Sequence, residues 1–131
     1  SKDNIKLGMA VLDKSYLVGK IVEVNYLTSR ALLLSDLNSK IPVNIEPGSI
    51  ESILSGTGKN TGLIQYFKNE ADIEGESIIY TSGSGGLFKE GIPIGKIINN
   101  EGADNIEKVV FFSDFSQLRF VKIVSFIKDF N

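Results

Sequence analysis

An all-β fold is what the sequence predicts, on three observations. Short apolar runs recur along the chain, with no sustained helical periodicity, no heptads and no internal repeat. Polar, turn-forming segments such as Gly56-Thr57-Gly58-Lys59-Asn60 and Asn99-Asn100-Glu101-Gly102-Ala103-Asp104-Asn105 separate them. Between Thr81 and Ile97 five glycines, Gly83, Gly85, Gly86, Gly91 and Gly95, punctuate a run that closes in β-branched Ile92-Pro93-Ile94-Gly95-Lys96-Ile97-Ile98. Glycine reaches positive φ without a Cβ clash, so this stretch turns sharply and returns as a strand. The expected architecture is about ten short strands, closed or nearly closed into barrels.

The elements follow in order. Gly8-Met9-Ala10-Val11-Leu12 opens the series, and Leu17-Val18-Gly19-Lys20-Ile21-Val22-Glu23-Val24 carries Lys20 and Glu23 as on a strand with one wet face. Ala31-Leu32-Leu33-Leu34 is apolar throughout, which predicts a fully buried strand too short for a helix. Ile41-Pro42-Val43-Asn44-Ile45 alternates, with Pro42 marking an edge or a strand start. Ser52-Ile53-Leu54 and Gly62-Leu63-Ile64-Gln65-Tyr66-Phe67 read as a hairpin around Gly56–Asn60. Ser77-Ile78-Ile79-Tyr80-Thr81 leads into the glycine-rich turn, and Glu107–Phe112 and Phe120–Val124 are the last strands. Ser113, as N-cap, starts one helical turn through Leu118.

Composition narrows the chemistry. The 131 residues make one domain or two very small ones, burying about two-thirds of the unfolded surface. Eight Phe and four Tyr join Ile, Leu and Val in the core. Cysteine is absent, so neither disulfides nor thiolate metal sites contribute. Histidine is absent too, which removes the usual proton shuttle and the commonest metal ligand. The net charge is −2, with Arg30 and Arg119 the sole arginines, which argues against nucleic-acid binding. No apolar run is long enough to span a bilayer and no signal-peptide pattern opens the chain. A start at Ser1-Lys2-Asp3 reads as an excised fragment whose targeting segment would lie upstream.

Each candidate constellation has a plainer structural reading. Thr81-Ser82-Gly83-Ser84-Gly85-Gly86 resembles a nucleophile loop, but serine needs a base and only a Ser–Lys pair with Lys89 or Lys96 is left to supply one. Turn residues shaping a hairpin are the favoured reading. A phosphate cradle lacks both the Gly-Lys-Ser/Thr motif and a following helix. Asp72, Glu74 and Glu76 alternate in too short a run for a calcium loop. Asp13, Asp36 and Asp114 end strands and are expected to accept backbone hydrogen bonds in turns. Among the aromatics, Tyr16 and Phe88 sit in turns beside charged residues, which marks them as candidate partner-binding positions, whereas most of the others fill the core. A bulky residue at Gly85 or Gly95 is expected to cost about 1–2 kcal/mol if φ is positive there. No cofactor and no metal is expected.

The chain resembles the C-terminal extracytoplasmic domain of the rod shape-determining protein MreC family. The resemblance rests on Gly8-Met9-Ala10-Val11, Leu17-Val18-Gly19-Lys20-Ile21, Ser29-Arg30-Ala31-Leu32-Leu33-Leu34-Ser35-Asp36, Ile41-Pro42-Val43 and the signature run Thr81-Ser82-Gly83 to Gly91-Ile92-Pro93-Ile94-Gly95-Lys96-Ile97. Lys89 stands where the family usually has proline, and Glu76 where it usually has aspartate. The resemblance implies two small β-barrel lobes, the first truncated at its N-terminus. Residues 1–60 would belong to the first lobe, 61–112 to the second, and 113–131 to a closing helical turn and final strand. Thr81, Ser82, Gly83, Gly85, Gly86, Gly91, Pro93 and Gly95 would be its structural motif.

It further implies a non-enzymatic scaffold of the cell-wall elongation machinery on the periplasmic face of the inner membrane, anchored by a helix outside this fragment. Its partners would be MreB, MreD, RodA and a class B penicillin-binding transpeptidase, with self-association into a homo-dimer or higher assembly. The alternatives are a peptidoglycan-binding module or a Ser–Lys hydrolase of the cell envelope.

Overall fold

The computed structural model describes residues 5–65, 77–86, 88–97, 106–118 and 121–124. Ten strands run through them: β1 (Ala10–Asp13), β2 (Tyr16–Val24), β3 (Ser29–Leu33), β4 (Lys40–Glu46), β5 (Ile50–Gly56), β6 (Thr61–Gln65), β7 (Ser77–Thr81), β8 (Pro93–Ile97), β9 (Ile106–Phe111) and β10 (Lys122–Val124). Four form a sheet in the order β10-β1-β2-β3, and six form a closed barrel, β4-β5-β6-β9-β8-β7. All pairings are antiparallel. Closure comes from β4, which pairs β5 along one side and β7 along the other.

Alternation in the sequence becomes inside and outside in the barrel. Ile41, Val43 and Ile45 of β4 are at most 1% exposed, while Lys40, Pro42, Asn44 and Glu46 face outward. Leu54, Ile64, Ile79, Ile94, Ile97, Val109 and Phe88 complete the interior. Burying each such side chain contributes about 1.5–3 kcal/mol. Roughly eight strands give a barrel just wide enough for side chains to fill, so six close on a solid core. The filled interior leaves the outer wall and the loops as the accessible surface. Val11, Val18 and Ile21 form a smaller cluster in the sheet, and Phe115 packs against both clusters.

The β5–β6 hairpin stands as the sequence predicts, with Gly56 opposite Gly62 across the turn. Pro42 is the third residue of β4, and its carbonyl accepts the Ser82 amide at 3.3 Å. Nitrogen and carbonyl of one strand residue point to the same side, so the missing N–H faces the region where β7 has ended.

Other expectations are corrected. The apolar run at Ala31–Leu34 is not a fully buried strand: Ala31 is exposed and Leu32 and Leu33 are half-buried, because β3 has only β2 as a described partner. Leu34, just beyond it, is buried. The helical turn spans Phe115–Gln117 and its N-cap is Asp114, not Ser113. Asp114 Oδ1 accepts the Ser116 amide at 3.0 Å and its hydroxyl at 2.6 Å, whereas a carboxylate offers more acceptor capacity than the Ser113 hydroxyl. The strands also divide otherwise than at residue 60: β4 and β5 lie in the closed barrel with β6 to β9, and β10 returns to pair β1. The four-stranded sheet is open among the described residues. The acidic alternation at Asp72, Glu74 and Glu76 lies outside them.

Candidate functional site

The glycine-rich segment is a clamp built on Thr81. This residue is fully buried, and its polar groups are all used within the turn. Its amide donates to Ile92 O at 2.9 Å and its carbonyl accepts the Gly91 amide at 3.1 Å. Its hydroxyl donates to Lys89 O at 2.6 Å and accepts the Ile92 amide at 2.9 Å. Ser82, also buried, donates its amide to Pro42 O and so ties the turn to β4.

The glycines serve this turn in two different ways. Gly91 has φ +91°, a conformation that L side chains rarely adopt. Gly95 has no positive φ; a Cβ there would lie 2.4 Å from Val110 O and 3.0 Å from Phe111 Cα. Its demand is therefore the close approach of β8 to β9, not backbone handedness. Gly86 has φ +68°, and a Cβ on Gly83 would make only ordinary contact with Glu90. Gly85 lies with Gly86 in a single 3-10 turn over Ser84–Gly86. Pro93 opens β8 opposite Tyr80, where the β7–β8 register shifts.

The serine hydroxyls in this segment end on a carboxylate, not an amine. Ser82 Oγ donates to Ser84 Oγ at 3.0 Å and accepts the Ser84 amide at 3.1 Å. Ser84 Oγ in turn donates to Glu51 Oε1 at 3.3 Å, at the surface. Lys89 is exposed, and its contribution to the clamp is a backbone carbonyl. These contacts order the turn.

The two aromatic candidates fare differently from the sequence reading. Phe88 is 1% exposed and packs inside the barrel, so it offers no ring to a partner. Tyr16 is the first residue of β2, half-buried, with its ring 5.1 Å from that of Phe112. Among the described residues the exposed aromatic is instead Tyr26, 78% accessible beside Leu27 in the β2–β3 connection. There the Asn25 amide donates to Thr28 O at 2.7 Å, closing the hairpin tip. Asn25 and Thr28, on either side of Tyr26-Leu27, gave a signal for a turn, but nothing local distinguished the Tyr26 ring from that of Phe88.

A second feature that sequence did not single out lies on the barrel wall. Ile53, Leu63 and Ile106 are each more than 40% exposed, on β5, β6 and β9. Ile53 pairs Gln65, Leu63 pairs Lys108, and Gln65 pairs Ile106, so the three apolar residues are successive diagonal neighbours. They form one V-shaped apolar band across three strands, with Ile53 and Ile106 on either side of Gln65 and Leu63 at its foot. Among the described residues, Asn44 Oδ1 and Glu107 Oε2 are buried side-chain acceptors without a partner. No group of three or more His, Cys, Asp or Glu among them is placed to hold a metal, and no helix among them is long and apolar enough to cross a membrane.

Comparison with known proteins agrees with this architecture. The family of rod shape-determining protein MreC, barrel core, matches residues 1–125. The cell shape-determining protein MreC of Caulobacter vibrioides is 35% identical over 130 residues, covering 99% of this chain and 37% of the relative. The chain thus spans well under half the length of that protein. MreC from Pseudomonas aeruginosa superposes with a TM-score of 0.82 at 30% identity, over 95% of this chain and 83% of the other. The same fold occurs in a complex between Penicillin-Binding Protein (PBP2) and MreC from Helicobacter pylori, at a TM-score of 0.65 and 17% identity, covering 81% of this chain and 67% of that one. With its filled six-stranded barrel and Thr81-centred turn, the chain belongs to the rod shape-determining protein MreC family.

Proposed function

We propose that this chain is a non-enzymatic scaffold that docks a class B penicillin-binding transpeptidase on the outer wall of its barrel. The observation that carries the reading is the apolar band Ile53–Leu63–Ile106, exposed on a barrel whose interior is already filled. Association of MreC with a penicillin-binding protein in the Helicobacter pylori complex supports the choice of partner. The turn hydroxyls end on Glu51 and the Thr81 groups are consumed internally, which favours a structural role for the signature segment.

In this reading the domain works on the periplasmic face of the inner membrane, held by an anchor elsewhere in the protein. There it links MreB, MreD and RodA to the transpeptidase and self-associates. Binding of the chain to the purified periplasmic portion of the cognate transpeptidase tests the docking. An Ile53→Lys/Leu63→Lys chain that keeps its circular dichroism spectrum is expected to lose at least ten-fold in affinity, since two interface anchors are removed. A folded double variant that binds as the parent does would overturn it.

A further inference from the structure

Where β4 lies against β7, the Glu90-Gly91 turn borders a cleft of about 360 Å³ on the outer wall. Asn44, Glu46, Tyr80, Thr81, Glu90 and Gly91 line it. Asn44 and Tyr80 are direct register partners, and Glu46 lies two residues further along β4. Thr81 has already spent its polar groups, and Gly91 its amide, on one another and on neighbouring backbone. What remains for a ligand includes a set of acceptors and one aromatic ring.

The acceptors are of three kinds. Glu90 is exposed and its carboxylate makes no hydrogen bond to the described residues. Glu46 accepts the Ser49 amide at 2.9 Å and the Ser49 hydroxyl at 3.1 Å, yet a carboxylate has about four lone-pair sites. Asn44 Oδ1 is buried without a partner among the described residues. Asn44 itself lines the cleft. Among the described residues, no basic side chain lines the space.

We propose that the cleft receives an arginine side chain from a protein partner. The guanidinium stacks on the Tyr80 ring and donates to Glu46, Glu90 and Asn44 Oδ1. A planar group with five fixed donors suits several acceptors around one ring better than the compact ammonium of lysine. This site is separate from the apolar band and rests on its own observations.

The test is a titration of the isotopically labelled 131-residue chain with acetyl-Gly-Arg-Gly-amide, followed by amide NMR shifts. Saturable shifts centred on Tyr80, Thr81 and Gly91 are expected, and the citrulline peptide, isosteric but uncharged, is expected to produce none. Glu90→Gln, at an exposed turn position, is expected to weaken binding about two- to five-fold. Absence of saturable shifts, equal shifts with citrulline, or unchanged binding by Glu90→Gln overturns the proposal. Saturation of the same amides by calcium chloride alone also overturns it, assigning the cleft to a metal cation. No transpeptidase enters this titration, so its outcome is independent of the proposed docking.

Discussion

The rings of Phe111 and Phe115 stack with centroids 4.6 Å apart and planes inclined by 20°. Phe111 ends the last barrel strand, while Phe115 opens the short turn that leads back to β10 and the four-stranded sheet. Because Phe115 also touches the Val11–Val18–Ile21 cluster, this pair couples the two cores. Phe115→Ala is expected to cost roughly 2–3 kcal/mol, less than a fully buried Phe since its ring is half-exposed. Urea unfolding is the measurement, and a midpoint equal to the parent's would contradict the coupling.

The Thr81 clamp makes a sharper prediction about chemistry at constant size. Thr81→Val removes the hydroxyl and strands both the Ile92 amide and the Lys89 carbonyl. Leaving such groups unpaired costs about 1–3 kcal/mol each way of counting, whereas Thr81→Ser keeps the hydroxyl and is expected to lose under half as much. Thermal unfolding of the two variants side by side decides it.

Gly95 and Ser84 separate scaffold from enzyme. Gly95→Ala places a methyl 2.4 Å from a backbone oxygen that cannot swing away, so β8 and β9 must part, at about 3 kcal/mol. Ser84→Ala loses only one surface hydrogen bond to Glu51 and is expected to stay within about 0.5 kcal/mol of the parent. In the full-length protein it is expected to support rod shape. A stable Ser84→Ala protein that fails to do so would favour a catalytic serine.

Acid should weaken one local element in a defined direction. Hydrogen bonds from the Ser116 hydroxyl and then its amide hold the Asp114 carboxyl below its ordinary value of 3.8. A carboxyl lowered by folding takes up its proton more readily in the unfolded chain, so acid favours unfolding. Its contribution is present above pH 3.8 and fades as pH falls below that value through the folded-state pKa. Asp114→Asn, which keeps an acceptor but cannot titrate there, is expected to show a shallower loss of urea midpoint between pH 5 and 2 than the parent. Parallel pH profiles would remove Asp114 as the cause.

Much of the strand content was legible because it depends on neighbours two residues apart. The alternation of Ile41, Val43 and Ile45 with polar residues specified β4 without reference to any other strand. Asp36 and Asp114 do accept backbone amides two residues on, at Asn38 and Ser116, since such turns are equally local. The run at Ala31–Leu34 misled because hydrophobicity says a residue prefers burial, not whether a second strand arrives to cover it. Phe88 misled for the converse reason: Lys89 and Glu90 just after it are exposed, but the turn folds its ring back into the barrel core.

By itself, the amino-acid order determined the all-β class, the hairpin around Gly56–Asn60, the sharp turn before β8 and the lack of histidine or cysteine chemistry. These follow from φ preferences, side-chain periodicity and composition, which act over a few residues. Only the tertiary structure decided that β4 and β5 close the barrel, that Tyr26 and not Phe88 meets solvent, and that Ile53, Leu63 and Ile106 form one band. Pairing brings together residues far apart in sequence, and burial is a property of what arrives across the gap.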